Sequence, residues 1–260
     1  MLWVVQSCFP LCLGALVLKT LSENLRSPSG IPSKRRAENC MSWTRDKALA
    51  LIREVGLVPI IRTSSPDDAW RAAEALVEGG VGIAEITMTV PGAIRVIEKV
   101  ADKFGERVLL GAGTILDEQS CRAALFAGAE FIVTPGLKAP IIEMARRYSK
   151  ACFPGALTPT EVLAAWEAGA DMVKIFPCGP AGGPKYIKAL KGPYPHIDMV
   201  PTGGVNLENT AEFIAAGASA VAVGGELVNL VHLRAGKLDE IVGAARKYLA
   251  AVRTARSARK

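Results

Sequence analysis

Histidine is scarce in this chain, whose 260 residues contain only His196 and His232. Neither has a second histidine or a cysteine at metal-ligand spacing, so we expect no zinc site and no other bound metal. Six cysteines are present, but no two of them form a C-x-x-C pair. In a chain of this length such cysteines are typical of reduced, buried thiols, which favours a cytoplasmic protein.

The body of the chain also lacks an excess of either charge. The formal net charge of +6 comes from the two ends, because residues 1–40 hold five Lys/Arg against two Asp/Glu and residues 251–260 hold four against none. The remaining residues hold 22 basic against 23 acidic side chains. Nucleic-acid-binding surfaces need clustered basic residues, so this distribution predicts no nucleic-acid partner.

The first forty residues differ from the rest. Their apolar stretch, residues 2–18, is interrupted by Gln6 and Pro10 and has no basic residue ahead of it. It is short for a membrane span and lacks the positive start of a signal peptide. A translation start at Met41, a targeting segment and a membrane anchor all stay open, and we expect no stable membrane association. The sequence thus divides into an N-terminal extension at 1–40, a catalytic domain at 46–250 and a basic C-terminal tail at 251–260.

Helical and strand patterns alternate from residue 46 onward. After an opening amphipathic segment at 46–55, eight short apolar runs predict strands separated by helical patterns. Helix starts are marked at Ser65, which precedes Pro66, and at Thr158, which precedes a proline and Glu161. The predicted strands are 58–62, 83–88, 108–114, 131–134, 151–154, 171–176, 199–202 and 220–223.

This alternation is compatible with a closed (β/α)8 barrel or with a doubly wound sheet. A nucleotide-binding doubly wound sheet carries a glycine fingerprint after its first strand. Here the first strand is followed by Thr63, Ser64 and Ser65, with no glycine. We therefore predict an α/β fold of the (β/α)8 TIM-barrel type with an extra N-terminal helix.

Lys174 lies in an apolar strand pattern, where a charged ammonium group is disfavoured. A desolvated lysine loses affinity for its proton and becomes an amine nucleophile. In the second strand Glu85 alternates with Ala84 and Ile86, so an apolar face toward the helices would turn Glu85 into the barrel. The two residues could form a buried ion pair, or an amine and an acid-base group that act on a ketone.

Paired glycines follow the last two predicted strands, at Gly203-Gly204 and Gly224-Gly225. Such loops let backbone N–H groups approach an anion, and barrels often bind phosphate there. Glu226 follows the second pair and argues against phosphate, since a carboxylate repels it. A phosphate site is therefore one of two interpretations of these loops.

Two polar residues end other predicted strands. Thr114 closes the third strand and either offers a hydroxyl to a ligand or is a satisfied strand threonine. Arg62 closes the first strand and either clamps a carboxylate or phosphate or forms a surface salt bridge.

Six segments of the chain resemble the class I aldolases that act on 2-keto-3-deoxy-6-phosphogluconate (KDPG) and 4-hydroxy-2-oxoglutarate (KHG). The similarity runs in order over residues 46–250. The segments are Glu85-Ile86-Thr87, Gly111-Ala112-Gly113-Thr114, Phe131-Ile132-Val133-Thr134-Pro135, Pro154-Gly155 with Thr158-Pro159-Thr160-Glu161, Lys174-Ile175-Phe176-Pro177 and Pro201-Thr202-Gly203-Gly204.

The resemblance implies a (β/α)8 barrel assembled as a homotrimer, without a cofactor, that serves the Entner–Doudoroff pathway. It assigns the Schiff-base lysine to Lys174 and the acid-base group to Glu85. It also implies that the substrate, a keto acid or phosphorylated sugar acid, contacts Arg62, Thr114, Thr202, Gly203, Gly204, Gly224 and Gly225.

Two positions depart from the family pattern. Thr89 stands where many members hold the substrate carboxylate with an arginine, and we expect Arg62 to take over that contact. Glu226 stands where many members have a small or apolar residue, which leaves the preference for phosphate open. The departures affect the substrate and not the aldol chemistry.

The mechanism that the resemblance implies begins with attack of Lys174 on the substrate ketone and ends with release of pyruvate and an aldehyde. A competing interpretation is an isomerase or synthase on a phosphate-binding barrel, in which Lys174 is a point charge for phosphate. A non-catalytic barrel that senses a sugar acid is a third, which the pairing of Glu85 with Lys174 disfavours.

Overall fold

The computed structural model describes residues 43–258, so the predictions for residues 1–40 lie outside the described residues. Within that range short strands alternate with helices along the chain. The strands are β1 Leu57–Ile61, β2 Ile83–Thr87, β3 Leu109–Gly113, β4 Phe131–Val133, β5 Ala151–Phe153, β6 Gly155–Ala156, β7 Val173–Ile175, β8 Met199–Pro201 and β9 Val221–Val223. The helices are α1 Arg45–Val55, α2 Pro66–Glu78, α3 Ala93–Phe104, α4 Glu118–Phe126, α5 Ala139–Arg147, α6 Pro159–Glu167, α7 Pro184–Lys191, α8 Thr210–Ala215, α9 Leu230–Arg234 and α10 Leu238–Ser257.

All strand pairs are parallel. One sheet has the order β5-β4-β3-β2-β1-β9, and a second has the order β6-β7-β8. A parallel bridge between Thr202 and Ala222 joins the end of β8 to β9, and β6 follows β5 after a single residue. The strands therefore form a curled parallel sheet in an α/β fold, and their carboxyl ends lie on one edge.

Eight predicted strand positions are confirmed: the first is shifted by one residue to Leu57–Ile61, and the others are shorter or interrupted. The fifth, predicted at 151–154, is two short strands on either side of Pro154, which has no N–H to give to a ladder. The sixth, predicted at 171–176, is limited to Val173–Ile175, and the Asp171 carboxylate ahead of it accepts from Arg45 and from the Cys152 N–H. The predicted patterns run past the residues that pair.

The predicted helix starts are confirmed. The Ser65 hydroxyl accepts from the Asp68 N–H at the start of α2. At α6 the Thr158 hydroxyl accepts from the Glu161 N–H while the Glu161 carboxylate accepts from the Thr158 N–H, which completes a capping box. Both caps lie within four residues of the end of a strand, so each helix starts close to the edge of the sheet.

The last helix extends past the predicted domain boundary at residue 250. Residues 251–257 continue α10, and Val252 and Ala255 are buried. The expected basic tail is thus, up to Ser257, part of a helix that packs on the fold. No helix among residues 43–258 is long and apolar enough to cross a membrane.

The core fills the sheet on both faces, as expected for parallel strands covered by helices. Every residue of β1, β2 and β3 is buried. Cys121, Cys152 and Cys178 are free, fully buried thiols, as predicted for the cysteines within the described range.

Candidate active site

Glu85 and Lys174 line one small cavity inside the curled sheet. Glu85 is central in β2, opposite Gly111, and Lys174 is central in β7, between Gly155 and Val200. Their side chains point inward, as the alternation of each strand predicts, and the residues are only 1% and 4% exposed. The cavity is lined by Val58, Glu85, Val133, Phe153, Lys174, Val200, Thr202 and Ala222.

Burial dominates the ionisation of both groups. Desolvation lowers the pKa of Lys174, and the nearby Glu85 carboxyl opposes this shift only in part. Desolvation likewise raises the pKa of Glu85 against the attraction of Lys174. Both shifts favour the uncharged forms, an amine with a free lone pair and a carboxylic acid that can donate a proton.

The Glu85 carboxyl is not satisfied by the protein. Its Oε1 atom is fully buried and has no hydrogen-bond partner among residues 43–258. A buried polar atom without a partner is costly and uncommon in folded proteins. This oxygen is therefore available to a substrate that enters the cavity.

Arg62 lies at the mouth of the site, on the carboxyl side of β1. It is exposed, and its guanidinium donates to Thr114 Oγ1 at 3.3 Å. Its positive charge lowers the pKa of both Glu85 and Lys174, so it lies within electrostatic reach of the pair. The structure thus brings Arg62 and Thr114 together beside the cavity.

Thr114 has an unusual backbone conformation. Its φ of 57° is in the left-handed region, where a β-branched residue is strained. Strain of this kind occurs at sites where a side chain must point in a particular direction. Here it accompanies the contact between the Thr114 hydroxyl and Arg62.

Thr202 is buried and lines the cavity at the end of β8. Its hydroxyl donates to the Val200 carbonyl at 3.2 Å, and its backbone bridges to Ala222. Thr202 therefore presents a hydroxyl oxygen next to Lys174, at the junction of two strands.

Thr89, at the position that departs from the family pattern, contacts its own strand. The Thr87 hydroxyl donates to the Ile61 carbonyl at 3.2 Å and lies 2.8 Å from the Thr89 hydroxyl. Since Thr87 has one O–H, Thr89 is the donor of the second bond. This chain of hydroxyls ties the end of β2 to the residue before Arg62.

The two glycine pairs differ in what the fold requires of them. Gly203 and Gly204 have φ values of 81° and 80°, and a Cβ at Gly204 would lie 2.7 Å from the Gly179 Cα. Gly224 and Gly225 have no left-handed φ, and a Cβ on either would meet nothing closer than 4.0 Å. Backbone conformation and close packing therefore explain why residues 203 and 204 are glycines, but they do not explain the glycines at 224 and 225.

Glu226 is exposed, and its charge contributes with burial to raising the pKa of Tyr248 in α10 to about 12. The carboxylate thus acts on α10 as well as on the loop that carries it.

Sequence reasoning did not identify the apolar wall of the cavity. Val58, Val133, Phe153 and Val200 line it beside the two ionisable groups. In the sequence they look like other buried strand residues, so periodicity could not separate them from the core. Only their closeness to Lys174 distinguishes them.

Comparisons with known proteins agree with the resemblance. The chain matches the family model described as KDPG and KHG aldolase over residues 49–244. It is 35% identical over 205 residues to the 2-dehydro-3-deoxy-phosphogluconate aldolase of Haemophilus influenzae, covering 77% of this chain and 94% of that protein. It is 38% identical over 172 residues to the 2-dehydro-3-deoxy-6-phosphogalactonate aldolase of Escherichia coli, covering 66% and 83%. A solved KDPG aldolase from Legionella pneumophila, captured with pyruvate as a covalent carbinolamine intermediate, is 27% identical with a TM-score of 0.71 and coverage of 76% and 96%.

Proposed function

The chain belongs to the KDPG and KHG aldolase family, and we propose that Lys174 is its Schiff-base nucleophile and Glu85 its acid-base group. As a member of that family it is a lyase of the class I aldolase type. It cleaves a 2-keto-3-deoxy-6-phospho sugar acid, or 4-hydroxy-2-oxoglutarate, to pyruvate and an aldehyde.

The reaction starts when the lone pair of Lys174 Nζ attacks the ketone carbon and the ketone oxygen takes a proton from Glu85. The Glu85 carboxylate then takes a proton from the attacking nitrogen and passes it to the new hydroxyl, which leaves as water. A protonated Schiff base and the Glu85 carboxylate remain. The Glu85 carboxylate then removes the proton of the hydroxyl beyond the scissile bond, the bond breaks, and its electrons flow to the iminium nitrogen. An aldehyde leaves, the enamine takes a proton at carbon, and water releases pyruvate and the free amine.

One observation carries this assignment: a lysine and a glutamate share a cavity that shifts both toward their neutral forms. A neutral amine is the form that attacks a ketone, and a neutral acid is the form that protonates the ketone oxygen. Glu85 Oε1 also has no partner within the described residues, which supports a role toward a substrate.

The pyruvyl end of the substrate is assigned to Arg62, Thr114 and Thr202. The substrate carboxylate would accept from the Arg62 guanidinium, which lies outside the cavity but close enough to influence both reactive groups. The Thr202 hydroxyl lies in the cavity wall with Lys174. Thr89 is bonded to Thr87, which supports giving the carboxylate contact to Arg62.

The other end of the substrate is assigned to the loops after β8 and β9. In the first loop Gly203 and Gly204 have no side chain to cover the backbone, and in the second loop the same is true of Gly224 and Gly225. The openness of the second pair supports close approach of a phosphate to backbone N–H groups. The exposed Glu226 carboxylate next to the second pair would repel a phosphate, so this assignment requires its side chain to point away from the loop while its backbone N–H contributes.

At the level of the whole chain, the proposal includes three further features. The parallel strands close into an eight-stranded barrel, with β5 and β6 as one strand and α1 as the extra N-terminal helix; the bridge between Thr202 and Ala222 supports closure. The aldolase domain covers the predicted residues 46–250 together with the rest of α10, to Ser257, and assembles as a homotrimer. A designed cage built from symmetric oligomeric domains matches the fold with a TM-score of 0.72. The location is cytoplasmic, which the free buried thiols support.

Chemical trapping tests the catalytic assignment. Borohydride in the presence of pyruvate should inactivate the enzyme and leave a reduced pyruvyl adduct on Lys174, which peptide mass spectrometry locates. Lys174→Ala should abolish both cleavage and labelling with an unchanged circular dichroism spectrum. Lys185→Ala, on the exposed face of α7, is the matched control and should retain both. An adduct on another lysine would refute the assignment.

A further inference from the structure

Gly113, the last residue of β3, lies against the side chain of Glu85. A Cβ placed on Gly113 would lie 1.8 Å from Glu85 Oε1, 2.5 Å from its Cδ and 2.7 Å from its Cγ. These distances are far below any non-bonded contact, which for heavy atoms is optimal near ~3.5–4 Å. The position of the Glu85 carboxyl therefore requires that residue 113 have no side chain.

Backbone geometry does not explain this glycine. Gly113 has no left-handed φ, in contrast to Gly203 and Gly204, and it pairs in register with Thr87 as an ordinary strand residue. Glycine in a strand interior weakens the strand unless something must approach closely. Here the approaching group is a buried carboxyl whose Oε1 has no hydrogen-bond partner within the described range.

We propose that Gly113 is a positioning residue for the aldol reaction: its bare Cα forms a niche that seats the Glu85 carboxyl at the cavity wall, apart from Lys174 and open to substrate. This inference rests on the catalytic roles proposed above for Glu85 and Lys174. It adds that the neighbouring strand β3, and not β2 alone, determines where the acid-base group stands.

A methyl group at residue 113 would force the carboxyl out of the niche. The space open to it is the cavity that Glu85 shares with Lys174. Closer together, the two groups stabilise each other's charged forms, so more of the lysine is protonated at neutral pH. We expect Gly113→Ala to lower kcat about 100-fold or more, the usual scale of acid-base catalysis, and to move the acid limb of Schiff-base formation to higher pH.

Four proteins make the functional test: wild type, Gly113→Ala, Glu85→Asp and the double variant. Cleavage rates and borohydride trapping with pyruvate are measured against pH for each. The shorter aspartate leaves room for the added methyl group, so the double variant should be more active than the product of the single losses predicts. Multiplicative losses, or a Gly113→Ala enzyme with the wild-type kcat and pH profile, would overturn the inference.

Thermal unfolding of Gly113→Ala, Glu85→Ala and the double variant tests the proposed contact without relying on enzyme activity. Gly113→Ala should lower Tm when Glu85 is present and much less in the Glu85→Ala background, because the clashing carboxyl is then gone. An equal loss in both backgrounds would show that the methyl group clashes elsewhere and would overturn the proposed niche. Failure of the wild type to be trapped at Lys174 would instead refute the catalytic assignment, while this cycle would still measure the contact between Gly113 and Glu85.

Discussion

The pair of Lys174 and Glu85 illustrates how environment decides between an ion pair and a reactive pair. In an ion pair, mutual attraction would raise the pKa of the lysine and lower that of the glutamate. Here burial is the larger influence on both groups, and each pKa moves in the opposite direction. The apolar wall of Val58, Val133 and Phe153 is therefore part of the chemistry, since it supplies the desolvation.

Removing the Glu85 charge should move the titration of Lys174. The carboxyl raises the pKa of Lys174 against the effect of burial, so Glu85→Gln should lower that pKa further. The amine then stays neutral to lower pH, and the acid limb of borohydride trapping with pyruvate should shift to lower pH. Overall cleavage should fall about 100-fold or more, because the acid-base group is lost. An unchanged acid limb would contradict the coupling of the two groups.

Arg62 should act mainly on substrate binding. It is exposed, and its guanidinium donates to the Thr114 hydroxyl, so its removal should leave the fold intact. A charge-assisted hydrogen bond is worth about 1.5–3 kcal/mol, so Arg62→Ala should raise KM roughly 10- to 100-fold in steady-state kinetics. Arg95→Ala, an exposed arginine on α3, is the control and should leave KM unchanged. A wild-type KM in Arg62→Ala would remove this residue from the substrate site.

The inward orientation of Glu85 and Lys174 could be predicted because alternation along a strand fixes the face of each side chain. Alternation does not say how far a side chain reaches toward the next strand. The niche at Gly113 and the left-handed Thr114 depend on such cross-strand contacts. The sequence alone therefore did not predict either feature, because the register of β2 and β3 is needed to derive such contacts.

Among the elements, strand existence was predictable and strand length was not. The break at Pro154 follows from its missing N–H, but the pairing of Gly155 with Lys174 depends on the partner strand β7. The side-chain caps and prolines that start α2 and α6 use only local contacts, so they could be predicted from the sequence. Helix caps can be predicted because the residues that make them are close in sequence. Strand pairing cannot, because it joins residues that are far apart in sequence.

The two glycine loops should respond differently to alanine. Gly204→Ala places a side chain at φ 80° and against Gly179, so it should lower the free energy of unfolding by about 1–3 kcal/mol in a urea titration. Gly225→Ala meets nothing within 4 Å and should leave that free energy within about 0.5 kcal/mol.

The same Gly225→Ala variant tests the phosphate assignment. Its methyl group would obstruct a phosphate at the loop, so KM for the phosphorylated sugar acid should rise, while KM for 4-hydroxy-2-oxoglutarate should not change. Equal effects on both substrates would argue that the loop after β9 does not bind phosphate.

On the scale of the whole molecule, the carboxyl ends of the strands carry the candidate active site and the amino ends carry stabilising contacts. The reactive groups lie inside and at the carboxyl ends, whereas the amino ends carry ion pairs and hydrogen bonds. Each of three Ala-Gly-Ala segments in the sequence is followed by a polar residue at a strand start: Glu130 contacts Lys150, Asp171 contacts Arg45, and Ser219 donates to Asp198. Each segment precedes a strand, and the polar residue after it anchors the amino end of that strand. In barrels this end serves stability.

Asp171 offers the sharpest test of this division. Its side chain is only 1% exposed and accepts from both Arg45 and the Cys152 N–H, at 2.9 Å for the latter. Asp171→Ala leaves that buried N–H without its partner, so the free energy of unfolding in a urea titration should fall by about 1–3 kcal/mol. The kcat of the folded enzyme should not change, because the site lies at the other end of the strands.

Arg45→Ala separates the ion pair from the hydrogen bond to the backbone. The Arg45 side chain is 42% exposed, so its pairing with Asp171 is screened by solvent and its loss should cost no more than about 1 kcal/mol. If Arg45→Ala destabilises the protein as much as Asp171→Ala, the ion pair and not the Cys152 bond holds this end. If fully folded Asp171→Ala protein has a lower kcat, the amino end of the strands is coupled to the active site. Stability and catalysis would then not be assigned to opposite ends of the strands in this enzyme.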